Sequence, residues 1–206
     1  MSNFYKTNKV VLDRFNGLLF GNTILERGLV LAPVIVATTT YKNALILGIA
    51  FFMITFTTVL LSSFVPRKVP YTVRVILYTL LACALFIPTA MLMDKVFPES
   101  IFKLGVFLPL LVANSLIVVK SESRFHKHKK REMVLDLFCH CVGFFIVILL
   151  VGAIREILGA GTIMGHSFNF GFTVPGILYP FGGFIIVSFL AALMQKIKNK
   201  AENNQK

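Results

Sequence analysis

A chain of 206 residues with a mean hydropathy of +0.80 and 15% charged residues has too little polar surface to enclose a soluble domain, whose charged share is about a quarter. The net charge of +12 does not mark a nucleic-acid binder, because the 21 Phe lie inside apolar runs and do not alternate with Lys and Arg as a stacking platform requires. Cys83, Cys139 and Cys141 lie in the same kind of run, which argues against a disulfide framework.

In chain order, the first nine residues are polar, and no secretory signal with a small-residue cleavage site follows. Residues 4–20 mix charges with Phe and Leu and predict a short amphipathic helix on a membrane surface. A spanning helix needs about 20 apolar residues. Six candidates follow, at 22–41, 43–65, 71–93, 101–119, 133–154 and 174–195. The predicted organisation is an amphipathic segment at 1–21, a six-helix membrane domain at 22–195 and a basic tail at 196–206. Of the 21 Lys and Arg, 17 fall on the side of the N-terminus, the loops 66–74 and 120–132 and the tail, against 4 on the other. The positive-inside rule then places both termini in the cytoplasm and the loops 41–43, 94–100 and 155–173 outside.

Several polar residues interrupt the apolar runs. Glu26 and Arg27 at the start of the first span are read as snorkelling to the interface, with a functional role as the alternative. Asp136 is expected at the cytoplasmic surface, paired with Arg131 or Lys130. Arg155 and Glu156 are expected to close the fifth span, as a structural pair or as a partner contact. His126 and His128 sit among lysines that repel a metal ion, so that run is assigned to topology. Thr38, Thr39 and Thr40 suit a helix end, and 159–162 a loop near one. No nucleotide-binding or nucleophile motif is present, and no residue is nominated as catalytic or as a metal ligand.

Two stretches repeat a pattern. One is Gly28-Leu-Val-Leu-Ala-Pro33-Val-Ile-Val-Ala, the other Gly105-Val-Phe-Leu-Pro109-Leu-Leu-Val-Ala. Each opens a group of three spans, so the second group is inverted relative to the first. A proline inside a span removes a backbone hydrogen bond and frees a carbonyl, and the freed groups must be buried in protein or line a cavity. Matched breaks in the first and fourth spans therefore point to a site between the halves; the alternative is that neighbouring helices simply repair such kinks.

At these residues the chain resembles the membrane subunits shared by the Rnf complex and the sodium-translocating NADH:quinone reductase (Nqr), on the branch of the E-type Rnf proteins and the D-type Nqr proteins. The resemblance rests on Ala32-Pro33-Val-Ile-Val-Ala-Thr-Thr-Thr-Tyr-Lys-Asn43-Ala-Leu, on Leu104-Gly-Val-Phe-Leu-Pro109-Leu-Leu-Val-Ala-Asn114-Ser115, on Ile154-Arg155-Glu156-Ile-Leu-Gly159-Ala-Gly161-Thr162, and on Pro180-Phe-Gly-Gly-Phe184. It implies an all-α integral membrane fold of six transmembrane helices in an inverted 3+3 repeat, with the first and fourth spans broken into half-helices. It further implies pairing with a homologous subunit of opposite topology in the bacterial inner membrane. A [2Fe-2S] cluster held by two cysteines from each subunit would carry electrons between the cytoplasmic side and flavoprotein partners, coupled to Na⁺ or H⁺ movement.

The resemblance places the two cluster cysteines at Ala32 and Ser115, beside Pro33, Pro109 and Asn114 at the breaks. Iron–sulfur clusters are held by thiolates; alanine has no donor and a neutral serine hydroxyl is a poor one. The chain is therefore expected to bind no cofactor by itself. Cys139 and Cys141 point about 200° apart on a helix and do not converge as substitutes. A second function class stays open, a small-molecule carrier of the vitamin or quinone type with a cavity where the cluster would sit.

Overall fold

The computed structural model describes residues 24–203 except 26, 27, 29, 67, 99–101, 103, 124–129, 165 and 168–172. The amphipathic segment 1–21, Glu26, Arg27 and the loop histidines 126 and 128 lie outside the described residues.

Six α-helices follow in order: α1 (Leu31–Ala37), α2 (Tyr41–Ser62), α3 (Tyr71–Val96), α4 (Ser115–Ser123), α5 (Lys130–Ala160) and α6 (Pro180–Asn203). Among the described residues, five segments are long and apolar enough to cross a bilayer: Tyr41–Ser62, Tyr71–Val96, Gly105–Glu122, Val134–Ala160 and Pro180–Lys200. The chain is a multi-pass, all-α membrane protein. α1 has seven residues, a rise of roughly 10 Å, which is half a span. The Gly105–Glu122 segment is broken too: 3-10 turns at Gly105–Phe107 and Pro109–Val112 precede α4. The first and fourth spans are thus the interrupted ones, as the paired Gly/Pro pattern predicts.

α2 and α5, the middle helices of the two halves, form the most extensive contact. Phe51 stacks on Phe144 at 3.6 Å between ring centroids, and both are fully buried. Small residues let the backbones close in: a Cβ on Gly152 would lie 2.6 Å from that of Ala44. Without a hydrophobic force between helices in lipid, such close packing is the main cohesion available. α3 and α6 lie outermost, each with 17% of its apolar window buried within the chain. Pro88 interrupts the α3 ladder, and the next residue, Thr89, returns its hydroxyl to Leu85 O at 2.8 Å.

Four helices run past their expected ends: α3 reaches Val96 and α4 Ser123, and α5 and α6 go further. α5 continues to Ala160, so Arg155, Glu156 and Gly159 lie within the helix, and the loop expected at 159–162 shrinks to the Gly161 turn. The reason is burial: Arg155 and Glu156 each find separate polar partners inside the bundle, which lets two charged residues sit in an apolar helix. α6 carries helix through Lys196, Lys198 and Lys200. A two-residue antiparallel pairing, Thr162–Ile163 with His166–Ser167, is the only strand structure among the described residues.

Candidate functional site

The two breaks share a construction. Gly28 and Gly105, the matched glycines of the repeat, both take a left-handed backbone (φ +61° and +50°), the conformation that glycine enters at no steric cost. Each is followed by a half-helix that begins inside the bundle. Ala32 lies in the first turn of α1, and Ser115 is the first residue of α4. α1 packs against the Gly105–Phe107 turn, so the breaks are neighbours. Ala32 and Ser115 are both exposed, as are Gly105, Val106, Pro109 and Ala113; Pro33 and Asn114 are buried. The positions where the resemblance puts ligands therefore open away from the chain's own core.

Asn114 fixes the second break. Its Oδ1 accepts Leu116 N–H at 2.8 Å and its Nδ2 donates to Thr55 Oγ1 of α2 at 3.1 Å. It satisfies a free donor at the start of α4 and ties that start to the central helix.

The first break is held by Arg155, on the other central helix. This side chain is fully buried. Nε donates to Ile177 O (3.2 Å), Nη1 to Ile35 O and Thr38 Oγ1, and Nη2 to Leu178 O (2.6 Å) and Tyr179 O (3.2 Å). Those are five acceptors for the five N–H donors of a guanidinium. One fork thus joins the end of α1 to the Pro175–Leu178 turn that leads into α6. Glu156 does not pair with Arg155; its Oε2 accepts Tyr41 N–H at 2.6 Å, at the start of α2, where helix N–H groups lack partners. The glycines of the last two motifs complete the joint. A Cβ on Gly159 would meet the Leu178 side chain at 2.6 Å, one on Gly182 the Ile177 backbone at 2.5 Å, and one on Gly183 Ile35 O at 2.9 Å.

A third polar cluster was not legible in the sequence. Lys120, Ser121 and Glu122 close α4, and each reaches a different helix. Lys120 Nζ lies 2.8 Å from Asp136 Oδ2 on α5. Ser121 Oγ lies 2.8 Å from Ser62 Oγ on α2; since Ser62 gives its own proton to Val59 O, Ser121 is the donor. Glu122 accepts the Arg74 fork at 3.0 and 2.7 Å and the Tyr78 hydroxyl at 3.1 Å, both from α3. The expected surface position of Asp136 is corrected here: Asp136 is buried and bonded to Lys120, which is itself buried and not a loop charge, while the side chains of Lys130 and Arg131, its expected partners, lie outside the described residues. Helical phase explains the miss. Lys120 and Asp136 lie at the ends of apolar runs, where sequence alone cannot distinguish an inward from an outward face.

The residues at the breaks do not fit a cluster held by this chain. Neither Ala32 nor Ser115 offers a thiolate. Cys141 is buried and Cys139 half-buried, two positions apart on α5, and Cys83 is exposed on α3. Among the described residues no three His, Cys, Asp or Glu side chains gather in metal-binding range.

The paired breaks, central helices and terminal joint coincide with the segments carrying the family motifs, and the sequence match has the same extent. Residues 11–192 match the family described as Rnf-Nqr subunit, membrane protein, and the chain belongs to that family. Similar proteins include the E-type subunit of the ion-translocating oxidoreductase complex of Aliivibrio fischeri (strain MJ11), 32% identical over 92% of this chain and 90% of its own. The corresponding E-type proteins of Vibrio atlanticus (strain LGP32) and Shewanella oneidensis are each 30% identical, over 92% and 93% of this chain and 89% of theirs. The small-molecule carrier reading finds no support in these matches.

Proposed function

We propose that the chain is an integral-membrane subunit of an Rnf-type electron-transfer complex that couples electron flow to Na⁺ or H⁺ translocation, and that it contributes no cluster ligands of its own. The observation that carries this is the family match across the whole bundle, with both broken spans intact while Ala32 and Ser115 stand in their first turns. A frame kept without its thiolates suits a scaffold. The exposed face around Ala32, Gly105, Pro109 and Ser115 seats a homologous membrane subunit of inverted topology, and flavoprotein subunits complete the electron path. The bundle sits in the bacterial inner membrane with both termini in the cytoplasm, the orientation that the 17-to-4 distribution of Lys and Arg favours.

The test is purification of the native assembly in mild detergent, with mass spectrometry of its partners and iron analysis. Rnf-type partners are expected, and the A32C/S115C chain is expected to raise the iron content of the assembly over wild type. An assembly without redox partners would overturn the reading. Wild-type iron that falls on A32C/S115C substitution would overturn the scaffold role.

A further inference from the structure

We propose that a single buried water bridges Thr55 and Thr58 of α2 and forms part of the joint that holds the second break. Thr55, Thr58 and Ser62 fall within about 60° of one another around the helix, and all three are buried. Two of them are tied to α4: Thr55 Oγ1 accepts an Asn114 Nδ2 proton at 3.1 Å, and Ser62 Oγ lies 2.8 Å from Ser121 Oγ. Thr58, between them, is 0% exposed, and its hydroxyl has no hydrogen-bond partner among the described residues. Thr55 is only half satisfied. Its lone pair meets Asn114, but among the described residues no acceptor takes its own proton.

The chain's side chains do not supply what these hydroxyls need. Both ties join residues 59 apart, so α2 and α4 run parallel and Ile117 stands opposite Thr58. On the α5 side, the Phe51–Phe144 stack and the Ala44–Gly152 approach set an antiparallel register, which puts Leu137 at the same level. Ile117 and Leu137 are buried and apolar. A buried hydroxyl without a partner is destabilising, and a buried water commonly serves such groups. The spacing suits one. Side chains three apart on a helix stand about 5–6 Å from each other, the span of two hydrogen bonds of about 2.8 Å that meet on one oxygen. The water accepts both hydroxyl protons and gives its own to helix carbonyls, whose second lone pairs are open. With its proton drawn to the water, Thr55 keeps a lone pair turned to Asn114, and so the bridge supports the tie that fixes the start of α4. Both partners are neutral hydroxyls, which suits a neutral ligand.

The test combines a map with a melting series. A map of the native assembly that resolves ordered water should show a peak within hydrogen-bond distance of both Oγ atoms, and the T58V assembly should lack it. T58V keeps the shape of Thr58 and removes its hydroxyl. The full-length T58V chain in mild detergent should melt about 2–4 °C below wild type, and by less than about half of that in a T55V background, where the bridge is already broken. A wild-type map without the peak would overturn the proposal. So would a T58V chain that melts at or above the wild-type temperature, the result for a hydroxyl left alone or bonded to its own helix. A stabilisation of wild type by sodium over choline chloride that T58V abolishes would put a cation in place of the water and overturn it too.

Discussion

Arg155 is a full charge in the interior of a membrane protein, without an ion-pair partner among the described residues. It is tolerable because every donor meets an acceptor and because most of those acceptors are carbonyls at ends of helices and turns that lack helical partners of their own. Lysine at this position keeps the charge but concentrates three donors on one nitrogen, so it cannot serve Ile35 O and the 177–179 carbonyls together. With charged hydrogen bonds contributing about 1.5–3 kcal/mol each, R155K should cost roughly 2–4 kcal/mol and lower the unfolding temperature by several degrees; a change under one degree would contradict the five-bond account. Asn114 offers a neutral counterpart. N114A loses the α4 cap and the Thr55 tie, and the expected cost is about 1–2 kcal/mol by the same melting assay.

Among elements, the two half-helices are gripped in different ways. α2 holds α4 through the Thr55 hydroxyl, whereas α5 holds α1 through a guanidinium. The backbone pattern of the breaks was legible in advance, because glycine and proline act locally: Gly28 and Gly105 both adopt the positive φ that their residue type allows. The clamps were not legible, because Arg155 and Lys120 act across 120 and 16 residues of separation, on partners that only the packing selects. Close approach is similarly hidden. Gly176 and Gly183 look alike in sequence, yet an added Cβ meets its nearest neighbour at 3.4 Å in one case and at 2.9 Å in the other, where the neighbour is a backbone oxygen. G183A should therefore destabilise by about 1–3 kcal/mol while G176A stays near neutral. Equal melting temperatures for the two variants would refute the α1–α6 contact.

At the scale of the molecule, a tightly packed α2–α5 centre carries two sparsely covered outer helices. The long apolar spans and the two broken ones were readable because lipid demands long apolar runs and glycine and proline break them locally; which faces stay uncovered was not, since α2 and α3 are about equally apolar. A consequence can be measured by labelling from the lipid. Cys83 lies on the uncovered face of α3 and Cys141 in the core. A lipid-dissolved carbene photolabel, which needs no thiolate, should mark the α3 face that carries Cys83 in the folded chain and reach the α5 segment that carries Cys141 only on unfolding; simultaneous labelling would mean that the centre is loose. The end of α4 bears on the whole assembly in another way. Lys120, Ser121 and Glu122 are successive residues about 100° apart around the axis, and they are fastened to α5, α2 and α3. Three fastenings in three directions prevent the nine-residue rod from spinning or sliding like a screw. The direction in which Ser115 faces is thereby set about five residues away, and one residue inserted between them would turn that face through more than a quarter of a circle. This short rod should accept point changes along its length far more readily than any change in its count of residues.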